Sequence, residues 1–440
     1  MSYAVAHQEA QASSTSEMHR VLFSSYIGSV VEYYDFLLYG LAASLVFGKL
    51  FFSSLDPSVG IIASFGTLAA GYFARPIGGI LFGHFGDSLG RKSMLMITML
   101  LMGISSALIG FLPTYSQVGI CAPLLLVFLR VLQGIALGGE WGGAVLMSLE
   151  HANSLRRGFA SSVTNMGAPS GALLATVVFT AISFIPEDQF MSWGWRVPFI
   201  LSTILVVIAL WVRTRISESP LFVEAIAKQS ATVKGQTGYP LFDLFRSGPK
   251  PILISALGTV SLFAFQNLAA AFSLQYAMTV GGHSRSDVLI AFSVASFFQI
   301  IATGIYARIS DSVGRRPVML FGNIAAIIVV YPMFLVIGHS SLWGLIGAMC
   351  VFTAVAQAAM AGPAAAYISE MFATTGRYTG ASLGYQLAST FGGGLTPLVA
   401  AAIMPLHGIV GVSVYVTALL AVSTIVLLLS KETHQKDLRS

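Results

Sequence analysis

The sequence predicts an all-α membrane protein of twelve transmembrane helices in two six-helix bundles, and three observations carry that prediction. Of 440 residues, 55% are hydrophobic and only 9% are charged, too apolar a balance to cover a soluble core with polar surface. Apolar stretches of about 18 residues or more recur along the chain, long enough as helices to cross about 30 Å of hydrocarbon, and the short alternating segments of a membrane barrel are not seen. The segment "GHFGDSLGRK" at 83–92 is echoed by "ARISDSVGRR" at 307–316, so that Asp87, Gly90 and Arg91 return as Asp311, Gly314 and Arg315 at a constant offset.

Breaks rich in charge, Gly or Pro place the spans at about 21–46, 59–82, 94–112, 119–147, 158–184, 195–213, 251–280, 288–307, 317–337, 342–366, 378–404 and 408–430. The first twenty residues are polar and lack a signal-peptide pattern, so the first span reads as the insertion signal. With both termini in the cytoplasm, 18 of the 23 Lys and Arg residues fall on that side, leaving Lys49, Arg75, Arg130, Arg196 and Arg285 elsewhere, a bias that sets the orientation. The net charge of +5 therefore reports topology and gives no reason to invoke nucleic acid. Cys121 and Cys350 lie in apolar spans, and the eight His residues are scattered, so no metal site, cofactor or catalytic constellation is predicted and the chain does not read as an enzyme.

The duplication extends beyond the loop. Gln133 and Gly138 recur as Gln357 and Gly362, and the Glu150 to Arg157 spacing recurs as Glu370 to Arg377. The units are then a cytoplasmic tail (1–20), an N-terminal bundle (21–213), a cytoplasmic linker (214–250) around "KQSATVKGQTGYP" with a short surface helix near "ESPLFVEAIAK", a C-terminal bundle (251–430) and a second cytoplasmic tail (431–440). Two related bundles joined by a linker describe a rocking transporter whose site lies at the bundle interface near mid-membrane.

Ionisable residues inside spans are costly and usually retained for function. Five qualify: Glu32, Asp35, Arg75, Arg130 and Glu140. Asp35 and Arg130 both approach mid-depth and are placed to meet, while Arg75 and Glu140 are placed to pair between spans two and four or, alternatively, to contact substrate, Glu140 above all, or serve as a second proton site. Uncharged hydrogen-bonders suited to a hydroxylated ligand are Gln133, Asn165, Gln266, Asn267, Gln299, Gln357, Tyr385 and Gln386, with Trp141 and Tyr34 as candidate cavity walls. Trp193, Trp195 and Arg196 read as an outer interface belt. Gly and Pro in "NMGAPSGALL" and "GPAAAY" suit close packing and bending.

The segment "GHFGDSLGRK" matches the loop signature G-x-x-x-D-x-x-G-R-K/R of the major facilitator superfamily, although its echo has Ala307 at the first Gly position. Together "VVEYYDFLLYG", "ARPIGGILFGHFGDSLGRK", "LRVLQGIALGGEWGGA" and "SWGWRVPF" resemble the metabolite:proton symporters of that superfamily across nearly the whole chain, and "DFLLYG", "GEWGGA" and "DQFMSWGWRVPF" are most similar to its shikimate transporters. The resemblance implies the major facilitator fold in a bacterial inner membrane, with protons, lipid and a small organic anion as partners and the proton gradient as energy source. It implies a cytoplasmic latch of Asp87, Arg91, Glu150 and Arg157 and a second of Asp311, Arg315, Glu370 and Arg377. It also implies an ion pair of Asp35 with Arg130, in which substrate competing for the Arg lets the acid take a proton. Glu32, one helical turn before Asp35, is the rival proton carrier. Shikimate or dehydroshikimate is the expected substrate; other organic acids, a zwitterionic osmolyte and an uncoupled facilitator are the alternatives.

Overall fold

A backbone crossing hydrocarbon must satisfy every N–H and C=O internally, and helices do so within one segment. The computed structural model describes residues 2–89, 91–150, 157–214, 249–372 and 377–434, and among them every long apolar stretch is helical and no strand occurs. Helix α1 covers 2–50, α2 Pro57–Leu89, α3 Arg91–Gly110, α4 Cys121–Glu150, α5 Arg157–Ser183 and α6 Val197–Thr214. In the second half α7 is Lys250–Thr279, α8 Arg285–Val313, α9 Arg315–His339 and α10 Leu342–Glu370. The last apolar stretch, Tyr378–Leu429, runs 52 residues, about twice a membrane crossing. It breaks at Gly408 (φ 60°, ψ −162°) into α11 (377–407) and α12 (409–429), which completes twelve spans.

Two expectations about the ends of helices change. Helix α1 begins at Ser2 rather than at 21, and α2 continues through Gly83 and Gly86 to Leu89, so those glycines lie in a helix and not in a turn. In the repeat, α8 likewise runs to Val313 and the chain reverses at Gly314 alone, whose φ of 101° strains any side chain. The linker helix expected near "ESPLFVEAIAK" lies outside the described residues.

Within the first half α2 packs on α4, α1 on α5, and α3 on α4 and α6; the second half repeats this with α8 on α10 and α9 on α10 and α12. The α2/α4 seam is the tightest. A Cβ on Gly134 or Gly138 would come within 2.0 Å of the carbonyl oxygen of Gly71 or Arg75, so the two backbones touch, as small residues permit in lipid. The halves meet where α5 packs on α8 and α10, α2 and α4 on α11, and α1 on α7. Four helices carry π turns near this interface: Ala43–Phe47 in α1, Leu268–Phe272 in α7, Val351–Gln357 in α10 and Ser389–Gly394 in α11.

Candidate functional site

A small cavity lies between the halves, lined by Leu37, Ala168, Pro169 and Ala172 from α1 and α5 and by Gln266, Ala270, Phe292, Gln299 and Gln357 from α7, α8 and α10. Its volume of about 10 Å³ is the room of roughly one water molecule. Ligand cavities are typically some 300 Å³ or more, so with the bundles in this arrangement the space is too small for one. Its polar wall is three carboxamides from three helices, and all three were legible as candidates. Pro169, inside α5, is part of that lining.

Beside the cavity the halves are joined by an aromatic junction. The rings of Trp141 and Tyr385 stack with centroids 3.7 Å apart, Phe263 meets Tyr385 edge-on at 4.7 Å, and the Tyr385 hydroxyl hydrogen-bonds that of Tyr33. Trp141 Nε1 donates to Asn165 Oδ1 at 3.4 Å, and Asn165 Nδ2 donates across the interface to the carbonyl of Ala361 at 2.8 Å. Gln386 donates to the carbonyl of Gly138 at 3.2 Å. Asn267 accepts the Tyr72 hydroxyl at 2.8 Å and returns its amide to Phe263, so it bridges the halves without lining the cavity. Tyr34 is turned into the first bundle, where its hydroxyl donates to Pro198, and forms no cavity wall.

The charged residues are all buried, but not in the expected pairs. Glu140 bonds Arg213 of α6 at 2.6 Å and leaves Arg75 alone. Arg213 also donates to the Leu95 carbonyl at 2.9 Å, and its guanidinium lies over Gly28, where a Cβ would be 2.2 Å away. Arg75 is deeper than expected because α2 continues fourteen residues beyond it. Asp35 and Arg130 form no ion pair within 4.0 Å, and both Asp35 oxygens lack a hydrogen-bond partner among the described residues. Arg130 donates to Gln133 at 3.1 Å and lies over the rings of Tyr39 and Phe36 at 4.1 and 4.4 Å. Gln133 in turn donates to Ser106 at 2.6 Å, which holds it inside the bundle and away from the cavity. Phe36 is shared: on another side its ring meets the guanidinium of Arg75 at 4.3 Å.

At the end of the molecule where α8 turns into α9, Asp311 accepts the first free amides of α5, Gly158 N at 2.9 Å and Phe159 N at 3.0 Å, and pairs with Arg315 at 2.7 Å. This is a helix N-terminus of one bundle capped by a carboxylate of the other. Arg315 also pairs with Glu370 at 3.2 Å, and Glu370 accepts the Thr433 hydroxyl at 2.7 Å. Glu432, just past α12, accepts the amides of Arg315 and Arg316. Burial raises the Glu432 carboxyl, but four backbone amides outweigh it and hold the group below the usual range. Arg157 is half-buried with Nε unpartnered. The side chains of Asp87, Arg91, Glu150 and Arg377 lie outside the described residues. At the opposite end Glu187 pairs with Arg285 at 2.7 Å and Lys49 at 3.6 Å, exposed bonds worth about 0–1 kcal/mol each.

Two readings fail and two residues were missed. Trp195 is fully buried among Phe47, Phe51 and Phe199, and Arg196 donates to the carbonyls of Gly110 and Leu112, so of that expected belt only Trp193 is exposed. Arg213 looked like an interface charge at a helix end, and nothing in "WVRTR" marks it apart from Arg215. Tyr33 was overlooked between two acids that drew attention.

Residues 21–238 match the family model of sugar (and other) transporters, and residues 254–440 match that of the Major Facilitator Superfamily. The chain is 38% identical over 429 residues to the shikimate transporter of Escherichia coli (strain K12), covering 96% of each. It is also 38% identical over 434 residues to an inner membrane metabolite transport protein of that organism, again covering 96% of each. Identity to the E. coli proline/betaine transporter is 32% over 88% of this chain and 77% of that one. The fold matches that of a proton:xylose symporter bound to 6-bromo-6-deoxy-D-glucose with a TM-score of 0.74 at 17% identity, covering 97% of this chain and 98% of that one. A duplicated six-helix unit, the loop written twice and these full-length matches agree: the chain is a multi-pass membrane protein, a transporter and not an enzyme, and it belongs to the major facilitator superfamily.

Proposed function

We propose that the protein takes up a small hydroxylated organic anion, shikimate or dehydroshikimate first, together with protons across a bacterial cytoplasmic membrane, with both termini inside. The observation that carries this reading is a division of labour: three carboxamides of the second bundle line the cavity, while the interior charges, two acids on α1 among them, lie in the first. Carboxamides donate and accept, which suits ring hydroxyls; a buried guanidinium suits a carboxylate. Full-length likeness to a shikimate transporter supports the substrate class. An anion entering against a negative-inside potential is opposed by about 2.3 kcal/mol per 100 mV, and one accompanying proton cancels that term. The Asp311 bonds to α5 would hold the cytoplasmic side shut and release when the cavity opens inward.

Likeness to the proline/betaine transporter favours a second reading, a zwitterionic osmolyte. Radiolabelled shikimate uptake into membrane vesicles with an imposed pH gradient separates the two. Acid-stimulated, uncoupler-sensitive accumulation is expected, competed by organic acids and not by betaine. If a hundredfold excess of unlabelled shikimate leaves uptake of the true substrate unchanged, the substrate assignment is wrong.

A further inference from the structure

We propose that the carboxylate of the transported anion docks on Arg75 of α2, and that Glu32 of α1 is the counter-charge it displaces and thereby hands to a proton. This rests on the anion reading above and assigns its charge chemistry to a pair other than Asp35 and Arg130.

Arg75 is 4% exposed, at the middle of α2, and makes no hydrogen bond or ion pair with any described residue. Its guanidinium is held by the rings of Phe36 and Tyr72, each with its centroid 4.3 Å away, and Nε is without a partner. Cation–π contacts are worth about 0.5–2 kcal/mol and do not replace the hydration of a buried charge. Such a cation is a vacancy for an anion. Of the other interior cations, Arg213 is occupied by Glu140, and Arg130 is enclosed by Tyr39, Phe36, Gln133 and Gly71, all from the first bundle. The rings around Arg75 are also of the first bundle, but one of them, Tyr72, touches the second bundle directly. Tyr72 hydrogen-bonds Asn267 of α7 through its hydroxyl, and its carbonyl accepts the hydroxyl of Thr390 of α11 at 2.8 Å. A substrate held beside Tyr72 lies where the two moving parts meet, as alternating access requires. The duplication makes the same point: at the offset that relates Asp87 to Asp311, Arg75 corresponds to Gln299, which lines the cavity.

Glu32 is likewise buried and bonds no described residue. The charged or titratable groups facing it are Arg75 from α2, Glu140 from α4, Arg213 from α6, Tyr385 from α11 and Tyr33 on its own helix. With Arg213 held by Glu140, Arg75 is the cation left to balance Glu32. Asp35 faces Ser106 and Ser202 of α3 and α6, inside the bundle. When a carboxylate takes the guanidinium, Glu32 loses its counter-ion and accepts a proton from the compartment to which the cavity is open; on the other side both steps reverse. No covalent bond changes, and anion and proton cross as a neutral pair.

The test uses the full-length protein purified in detergent and in proteoliposomes, with thermal stabilisation by shikimate, dehydroshikimate, α-ketoglutarate, citrate and benzoate measured first. With the carboxylate that binds, Arg75→Lys is expected to weaken affinity at least tenfold, because a point charge does not replace the guanidinium fork. Wild type should take up about one proton per bound anion in weak buffer, and Glu32→Gln none. Glu32→Gln should keep counterflow exchange and lose uphill accumulation, a split that misfolding does not produce. Affinity of Arg75→Lys within twofold of wild type overturns the anchor, and normal accumulation by Glu32→Gln overturns the proton site; either leaves anion transport standing. Binding of a carboxylate other than shikimate with the same Arg75 dependence keeps the pair and overturns shikimate. Stabilisation by none of the five overturns both.

Discussion

Gln133 and Gln357 are the same residue of the repeated motif, and they have opposite surroundings. Gln357 lines the cavity between the bundles, whereas Gln133 is clasped by Arg130 and Ser106 inside its own. The contrast holds for whole interiors. The first bundle buries Glu32, Asp35, Arg75, Arg130, Glu140 and Arg213 along its length; the second buries Asn267, Gln299, Asn323, Gln357 and Gln386, with the charges of Arg315 and Glu370 kept at one end. A duplicated scaffold needs to bear the cost of intramembrane charge in one copy only. The other is then free to recognise neutral hydroxyls with amides.

Breaking the comparison at its costliest point means removing one partner of a buried ion pair. Arg213→Ala leaves Glu140 uncompensated inside the first bundle and is expected to cost about 3–5 kcal/mol, read as a lower unfolding temperature in detergent. A change of less than about 1 kcal/mol would show that water or another group reaches Glu140. The link between bundles comes next. Asp311→Ala removes two charge-assisted bonds to α5 and is expected to destabilise the closed terminal end by about 1.5–3 kcal/mol. A cysteine placed at Thr379, buried near that end, should then react faster with a polar thiol reagent; unchanged reactivity would remove Asp311 from the latch. The smallest effect sharpens the contrast: Gln357→Ala loses one hydrogen bond to substrate, about 0.5–1.5 kcal/mol or up to about tenfold in apparent affinity, with the proton-to-substrate ratio unchanged. A changed ratio would place coupling in both bundles.

The fold was legible because its causes are local: apolar length, the basic-residue bias and a loop printed twice. The cavity amides were legible only as members of a larger set, since an amide at mid-depth must find some partner: in "FAFQNLAAAF" Gln266 lines the cavity, whereas Asn267 bonds Tyr72. Pairing was not. Arg75, Glu140 and Arg213 come from three helices whose rotations are set by the α2/α4 glycine seam and by the approach of Gly28 to Arg213, neither of which is written in the spacing of charges. Trp195 failed for the same reason, because an interface aromatic and a buried one look alike until the neighbouring Phe47 and Phe51 are in place.

The π turn of α7 carries a consequence for anyone mapping this helix. Gln266 and Gln275 are nine residues apart and would point about 180° from each other on an unbroken α-helix. The turn at Leu268–Phe272 winds more slowly, and the angle between them falls to about 90°. A substitution scan stepping along α7 at ordinary helical intervals therefore changes face halfway; across that turn the interval that stays on one face is one residue longer.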